Sequence, residues 1–167
     1  MVKEYPDIAV FDLDYTIWPT YADTNISVPV KFDSEHNHLV DSYGYVVKLF
    51  PDVIRIFEDL QNHGVTILTA SRTWAPEVAK EMIEEFGIKK YITASEWGER
   101  SKKGHIQDLL KALGYKKSEI PDLKIALFDD EGRNKDVRSI GVDFVYLNAS
   151  NGVTWRDYQN YLEGKVK

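Results

Sequence analysis

The chain has 167 residues, a length that suits one domain with a sizeable hydrophobic core. Its 43% hydrophobic and 29% charged residues are an ordinary globular balance, and its formal net charge of -6 argues against a general nucleic-acid binder or a protein that adsorbs to anionic membranes. Cysteine is absent from the sequence, which excludes disulfides, a thiolate nucleophile and cysteine-ligated zinc.

The N-terminal segment, residues 1–7, lacks the pattern of a signal sequence. No apolar stretch in the sequence approaches the roughly 18 residues that a membrane-spanning helix needs. We therefore expect a cytoplasmic protein, with the nucleus as the alternative compartment, and neither a membrane nor a nucleic acid as its partner.

Strand signals alternate with helical signals along the chain. Short apolar runs predict five strands, at residues 8–13, 65–70, 91–94, 123–128 and 144–147. Apolar residues at helical spacing predict helices over 51–62, 76–86, 102–113, 133–140 and 155–162. This alternation predicts an α/β fold, a doubly wound parallel sheet with helices on both faces. Ligands of such sheets bind beyond the carboxyl ends of the strands.

Residues 19–50 interrupt this alternation. The segment is polar and aromatic, and Pro19, Pro29 and Gly44 break regular structure in it. We expect a flap inserted after the first strand and near the ligand site, in which residues 28–32 and 45–49 pair as a small hairpin. Because this insertion is too short to fold alone, the whole chain, 1–167, is predicted to form a single domain.

Two aspartates at the end of the first predicted strand are the most informative feature of the sequence. Side chains i and i+2 of a strand point to the same side, so Asp12 and Asp14 are expected to leave the strand together, with Thr16 beside them. Two carboxylates in one small space are costly unless a proton or a cation separates them. The pair therefore predicts a metal site, with the second carboxylate available for chemistry.

Three more polar clusters lie at the ends of later strands. Ser71 and Arg72 follow the second predicted strand, Lys102 begins the helix after the third, and Asp129 and Asp130 follow the fourth. These residue types suit phosphoryl transfer, in which catalysis is mainly positioning and charge stabilisation. The acids can bind Mg²⁺, which prefers oxygen ligands. The lysine and serine can stabilise the transferring group by charge and hydrogen bonding.

Residues 12–16, Asp-Leu-Asp-Tyr-Thr, resemble the DxDx(T/V) signature of the haloacid-dehalogenase (HAD) superfamily of phosphatases. A strand followed by Ser71, a downstream lysine, and a strand followed by Asp129 and Asp130 are similar to the other three motifs of that superfamily, in the same order. One such motif would be a weak signal, whereas four in order are a strong one.

Longer strings at residues 11–19, 70–73 and 128–134 resemble one branch of this superfamily, the magnesium-dependent phosphatase-1 group. The resemblance extends over about residues 8–147, which is most of the chain. It implies a HAD-like sheet without a large cap domain, in agreement with the short insertion at 19–50.

The resemblance also implies roles in the reaction. Asp12 would be the nucleophile that forms an aspartyl-phosphate, and Asp14 the general acid and base. Ser71 and Lys102 would bind the phosphate, with Lys103 as the alternative lysine. Arg72, next to Ser71, is a further candidate contact to the substrate.

The implied cofactor is Mg²⁺. Its expected ligands are the carboxylates of Asp12 and Asp129. A backbone carbonyl near Asp14 is expected to provide a third ligand. Asp130 is expected to act through water or to orient the site, and Thr16 to support it.

The resemblance implies a phosphomonoester hydrolase that acts on phosphotyrosine or on phosphosugars, including phosphorylated glycated amines. Its partner would be a phosphorylated small molecule or a phosphoprotein, and the protein is expected to be a monomer. A phosphotransferase or mutase on the same scaffold stays open as an alternative. A receiver-like domain that stores an aspartyl-phosphate is a third hypothesis, although the order of the clusters disfavours it.

Two histidines in the predicted flap, His36 and His38, invite a zinc interpretation. No ordered pattern of carboxylates accompanies them in the sequence. We therefore interpret them as surface residues.

Overall fold

The computed structural model describes residues 2–166, which form two sheets and five α-helices. The strands are β1 (Ile8–Phe11), β2 (Lys31–Asp33), β3 (His38–Val40), β4 (Val46–Val47), β5 (Thr66–Ser71), β6 (Ala94–Trp97), β7 (Ile125–Asp129) and β8 (Val142–Tyr146). The α-helices are α1 (Ala22–Asn25), α2 (Val53–Asn62), α3 (Pro76–Glu85), α4 (Lys102–Ala112) and α5 (Trp155–Leu162). Short 3-10 helices cover Lys89–Tyr91, Ile120–Asp122 and Gly132–Ile140.

The main sheet is parallel, with the strand order β6-β5-β1-β7-β8. Its central strand β1 is buried along its whole length, and its register places Phe11 opposite Thr69 on one side and Phe128 on the other. A strand that is covered on both faces must be apolar throughout, which is why this run does not alternate with polar residues. The predicted α/β fold with a parallel sheet is confirmed.

The two faces of the sheet carry separate hydrophobic clusters. Ala9 and Phe11 face the cluster that α2, α3 and α5 complete, whereas Ile8 and Val10 face the cluster that α4 and the 3-10 helix at Gly132–Ile140 complete. Phe11 stacks on Phe128 with the ring centroids 4.8 Å apart. Helices therefore cover both faces, as the sequence predicts.

Several predicted boundaries differ from the structure. The first strand ends at Phe11 rather than at residue 13, and the helix predicted at 133–140 is a 3-10 helix, Gly132–Ile140. The third strand of the main sheet is Ala94–Trp97 rather than 91–94. The apolar side chains of Tyr91 and Ile92 pack against the core from a turn, so the chain joins the edge of the sheet only after them.

The insertion after β1 is a small antiparallel sheet in the order β2-β3-β4. The predicted pairing of residues 28–32 with 45–49 is wrong, because β3 lies between those segments. Leu39 of β3 is buried and stands opposite both Phe32 and Val47, so it provides the apolar centre that a two-stranded hairpin would lack.

Helix α3 covers the exposed edge of this small sheet. The amide of Val30 donates a hydrogen bond to Glu81 (2.7 Å), and the amide of Phe32 donates one to Glu85 (3.1 Å). Two carboxylates thus satisfy backbone donors that would otherwise be free to pair with another strand. Within residues 2–166, no helix has both the length and the apolar character needed to cross a membrane.

Candidate active site

The carboxyl ends of β1 and β7 bring two aspartates together. The amide of Asp12 donates a hydrogen bond to the carbonyl of Phe128 (3.1 Å), so Asp12 follows β1 directly beside Asp129, the last residue of β7. Carboxylate oxygens of Asp12, Asp129 and Asp130 all lie within 4.8 Å of one another. Adjacent parallel strands therefore place three acids at one point of the sheet edge.

Lys102 binds two of these acids. Its Nζ donates hydrogen bonds to Asp12 Oδ1 (3.0 Å) and Asp129 Oδ2 (2.8 Å), and its side chain is only 1% exposed. Ser101 caps α4 by accepting a hydrogen bond from the amide of Gly104 (3.1 Å), which fixes the start of the helix and hence the direction of Lys102. Position on the first turn thus selects Lys102, rather than its neighbour Lys103, to bind the acids.

The pKa values of the two acids and the lysine show whether burial or charge pairing dominates at each group. Burial raises the pKa of Asp12 to about 6, against the opposing charge of Lys102. Burial, and next the charge of Asp12, raises the pKa of Asp129 to about 6. Burial alone would lower the pKa of Lys102, but the two carboxylates outweigh it and raise that pKa. The lysine is therefore charged at neutral pH, and the acids hold protons more tightly than free aspartates do.

Asp14 lines the same site as these acids, but strand alternation, which predicted its position, is not the reason. Since β1 ends at Phe11, strand alternation does not orient this side chain. A turn does so, with Tyr15 at a φ of 59°, a left-handed conformation that is uncommon for a residue with a side chain. Asp14 Oδ1 then accepts hydrogen bonds from the Trp18 indole (2.8 Å) and the Ala22 amide (3.0 Å).

The environment of Asp14 suits a group that exchanges protons. Burial is the main cause that raises the pKa of Asp14 to about 6, and the charge of Asp12 adds to it. Its carboxylate does not belong to the three-acid cluster, and its predicted role as a metal ligand through a backbone carbonyl stays a prediction.

The remaining predicted residues surround Asp12. Thr16 is buried, and its hydroxyl donates to Asp12 Oδ2 (3.2 Å), which orients the carboxylate. Ser71 is the last residue of β5, and its hydroxyl oxygen accepts a hydrogen bond from the amide of Thr73 (3.2 Å). With its oxygen accepting that bond, the hydroxyl hydrogen is free to donate to a ligand.

The sequence leaves Asn134 open between a contact to the substrate and a surface or packing role, and the structure buries it beside Asp129. It is 1% exposed, and its Nδ2 donates to Asp129 Oδ2 (2.8 Å) while its Oδ1 accepts from Arg72 Nη2 (2.6 Å). Its amide thus connects an acid of the metal cluster to an arginine that lines the cleft. The string at residues 128–134 includes it, but an asparagine in a polar segment has no signal of its own.

These groups line an open cleft of about 220 Å³. Asp12, Asp14, Ser71, Arg72 and Lys102 lie at its floor and walls, together with Asn134. Tyr21 and Trp74 also line the cleft, and their side chains are half or more exposed. The cleft thus combines a charged floor with an aromatic mouth.

The three-acid cluster fits Mg²⁺. All the donors that it offers are carboxylate oxygens, and magnesium takes one or two carboxylates, several waters and phosphate oxygens in an octahedral shell. Asp12, Asp129 and Asp130 are the residues that would hold the ion. A cation there would also separate carboxylates that burial otherwise keeps near their protonated state.

Comparison with known proteins identifies the family to which the chain is similar. A family model for acid phosphatases matches residues 4–166. A Saccharomyces cerevisiae protein named as a candidate magnesium-dependent phosphatase is 46% identical over 176 residues, covering 97% of this chain and 98% of its own. Human magnesium-dependent phosphatase 1 is 35% identical over 163 residues, covering 97% of this chain and 88% of its own.

A solved structure has the same fold at low sequence identity. A HAD-superfamily hydrolase from Ehrlichia chaffeensis superposes with a TM-score of 0.65 at 10% identity, over 98% of each chain. A Schizosaccharomyces pombe protein named as a member of the HAD-like hydrolase superfamily is 31% identical over 177 residues, covering 98% of this chain and 100% of its own. Together with the fold, this relative defines the chain as a HAD-type hydrolase. The chain belongs to the phosphatase family whose members include the magnesium-dependent phosphatases of yeast and human named above, which confirms the resemblance read from its four motifs.

Magnesium is expected to stabilise the protein. A ligand present at 100 times its Kd stabilises the native state by about 2.7 kcal/mol, which is roughly 5–10 °C in Tm for a chain of this size. Since the pKa values of Asp12 and Asp129 are raised to about 6, protons compete with the ion, and the Tm shift should shrink as the pH falls from 7.5 to 5.5. Differential scanning calorimetry with and without Mg²⁺ measures the shift.

The control for this experiment is a change of charge outside the cluster. Asp130→Asn should reduce the Tm shift, whereas Asp136→Asn, which alters an exposed acid of the neighbouring segment, should leave it unchanged. Equal shifts in both variants would contradict the assignment of Asp130 to the metal cluster.

Asn134→Ala should lower kcat/KM by roughly tenfold, because it removes two hydrogen bonds of a buried group that are worth about 1–3 kcal/mol when left unpaired. Steady-state kinetics on an aryl phosphate, repeated across Mg²⁺ concentrations, measures the loss. Asn134→Asp retains the acceptor for Arg72 but places a second carboxylate against Asp129 in place of a donor, so it should not recover the activity. Asn62→Ala, on an exposed helix end, is the control; equal kinetics in all variants would show that Asn134 has no role.

Proposed function

We propose that the protein is a magnesium-dependent phosphomonoester hydrolase that acts through an aspartyl-phosphate on Asp12. The observation that carries this proposal is the buried ammonium of Lys102 between Asp12 and Asp129, next to the third acid, Asp130. A salt-bridged lysine beside surplus carboxylates is suited to an anionic ligand that is accompanied by a cation. The names of the yeast and human relatives support the magnesium-dependent phosphatase activity.

A phosphate dianion must overcome the negative charge of the acids before it can bind. Mg²⁺, when bound, supplies positive charge between the carboxylates and the phosphate oxygens. Lys102 supplies a fixed ammonium at the floor of the cleft, and the Ser71 hydroxyl can donate a hydrogen bond to the transferring group. Arg72, held by Asn134, adds a second cationic side chain on the wall.

Two contacts support the proposal that Asp12 is the nucleophile. Lys102 and Thr16 hold its two carboxylate oxygens, one each, so the group has a fixed orientation. One of its oxygens would attack phosphorus, the bond from phosphorus to the leaving oxygen would break, and an acyl-phosphate would form on Asp12.

The environment of Asp14 supports the proposal that it moves the proton in both halves of the reaction. With its pKa raised to about 6, it can donate a proton to the leaving oxygen in the first step. As a carboxylate it can then take a proton from the water that attacks phosphorus, which releases inorganic phosphate and the Asp12 carboxylate. The hydrogen bonds from Trp18 and Ala22 keep Asp14 facing the cleft throughout.

The mouth of the cleft supports aryl or sugar phosphates as substrates. Tyr21 and Trp74 offer aromatic surfaces on which a phosphotyrosine ring or the apolar face of a sugar can lie. The insertion between β1 and α2 forms a small sheet rather than a large cap, so a phosphorylated protein side chain can also approach. We propose a phosphorylated small molecule or phosphoprotein as the partner, and a monomeric enzyme.

Asp12→Asn should abolish the hydrolysis of p-nitrophenyl phosphate, because an amide oxygen is a poor nucleophile and cannot form an acyl-phosphate that turns over. Activity of the wild-type protein should also vanish with EDTA and return with Mg²⁺. Denaturing mass spectrometry of quenched wild-type enzyme should find phosphate on Asp12. Turnover by purified Asp12→Asn would overturn the assigned nucleophile.

The same experiment separates the alternative functions. Formation of a phosphorylated acceptor in place of free phosphate would identify a phosphotransferase or mutase. A stable acyl-phosphate on Asp12 with negligible turnover would identify a receiver-like domain. Asp136→Asn, which changes an exposed acid that does not line the cleft, is the matched control for the charge change.

Trp74→Ala should raise KM more for phosphotyrosyl peptides than for sugar phosphates, by roughly 2- to 12-fold, because stacking on an aromatic ring is worth about 0.5–1.5 kcal/mol. A panel of phosphomonoesters compared by kcat/KM measures this selectivity. Tyr43→Ala, which removes an aromatic residue that is 88% exposed and does not line the cleft, is the control. An equal effect of Trp74→Ala on every substrate would exclude Trp74 as a specificity residue.

A further inference from the structure

The hairpin that joins β2 to β3 gathers three potential metal ligands. Asp33 is the last residue of β2, His38 is the first residue of β3, and His36 lies in the turn between them. One ligand atom from each of the three lies within 4.8 Å of those of the other two. No carboxylate pattern accompanies the two histidines in the sequence, which is why they are predicted to be surface residues. The fold brings the carboxylate of Asp33 beside them.

The spacing of the ligand atoms suits a small tetrahedral ion. His36 Nδ1 lies 2.7 Å from Asp33 Oδ2, and His38 Nε2 lies 3.5 Å from the same oxygen. Two ligands on a tetrahedral zinc ion, with bonds of about 2.0–2.1 Å, are about 3.3 Å apart. The two observed separations lie on either side of that value, so small rotations of the side chains would admit an ion.

The backbone of the hairpin holds these ligands in place. Asp33 and His38 form a directly opposed pair in the antiparallel register. Asn37 has a φ of 55°, in the left-handed region that asparagine tolerates, and this closes the turn and brings His36 back over the strands. The imidazoles of His36 and His38 lie nearly parallel, at 12°, with their centroids 5.4 Å apart.

The carboxylate of Asp33 is oriented before any ion binds. Its Oδ1 accepts hydrogen bonds from the amides of Glu35 (3.0 Å) and His36 (3.3 Å), and Oδ2 remains for the two imidazoles. Hydrogen bonds of this kind fix a ligating group and usually contribute 10–100-fold to metal affinity. The three ligands are therefore built into the turn.

We propose that Asp33, His36 and His38 form a binding site for a divalent transition-metal ion of the Zn²⁺ type. Two imidazoles and one carboxylate prefer zinc or copper to magnesium, which prefers oxygen ligands alone. Three protein ligands leave a fourth position for water. The site differs in ligand chemistry from the three-acid cluster at the sheet edge.

The proposed site lies apart from the catalytic cleft. Among residues 2–166, those that line the cleft include none from the small sheet at 31–47. Its effect would therefore be structural: an ion would fasten the turn to β2 and β3 and slow the local opening of the flap. Phosphatase activity does not depend on it, so the test of this site is independent of the proposed catalytic function.

The test compares zinc binding by variants of the full chain after removal of metal with EDTA. Isothermal titration with Zn²⁺ should find one more equivalent bound to the wild type than to His36→Gln/His38→Gln. Each single variant should bind at that site at least about tenfold more weakly, since losing a ligand costs no less than losing a group that orients one. The catalytic acids are unchanged in all variants, so their own binding of zinc cancels in the comparison.

His63→Gln is the matched control. His63 is also exposed and also lies near a carboxylate, Asp59 (3.6 Å), but has no second imidazole beside it. The His63→Gln variant should bind as many equivalents of Zn²⁺ as the wild type. Equal stoichiometry and affinity in all the variants would overturn the proposal.

A second readout follows the hairpin itself. Zn²⁺ should slow amide hydrogen exchange in residues 31–40 of the wild type by at least about tenfold, and not in His36→Gln/His38→Gln or in Asp33→Asn. Asp33→Asn retains an oxygen that can accept the turn hydrogen bonds, so it removes the charged ligand without removing the turn. Slowed exchange in Asp33→Asn to the same extent as in the wild type would exclude Asp33 as a ligand.

Discussion

The buried ammonium of Lys102 is the interaction on which the site depends. A lysine that is 1% exposed would be costly without partners, and carboxylates as crowded as Asp12 and Asp129 would be costly without a cation. The ammonium and the carboxylates therefore stabilise each other in the buried state. Removing one member of such a buried pair typically lowers the free energy of unfolding by about 3–5 kcal/mol. The raised pKa of the lysine shows that pairing outweighs burial for the ammonium.

The same balance leaves the site ready for a metal and a phosphate. Burial raises the pKa values of Asp12 and Asp129 to about 6 even with the lysine present, so one ammonium does not fully compensate these acids. A divalent cation at the three-acid cluster would complete the compensation. Lys102 could then share its charge with the oxygens of a bound phosphate. Charge compensation, rather than shape alone, thus couples the binding of the cofactor to the binding of the substrate.

Distant parts of the chain contribute to this balance. The turn at Tyr15 points Asp14 into the cleft. Asn134 connects Asp129 to Arg72, which precedes Asn134 by 62 residues in the sequence. The small sheet β2-β3-β4 leaves the mouth of the cleft open and carries its own cluster of two imidazoles and a carboxylate. One chain thus offers two sites of different ligand chemistry, of which the oxygen-rich one lies at the end of the main sheet.

The fold class and the acids at the strand ends can be predicted from the sequence alone. Short, β-branched apolar runs that alternate with helical segments are typical of strands buried on both faces, and such strands place Asp12 and Asp129 at one edge of the sheet. Three features are visible only in the folded chain: the orientation of Asp14, the hydrogen bond from Asn134 to Asp129, and the approach of Asp33 to His36 and His38. These contacts depend on turns and on hydrogen bonds between residues whose spacing follows no period. Apolar periodicity is a local property of the sequence, whereas such contacts exist only once the chain has folded.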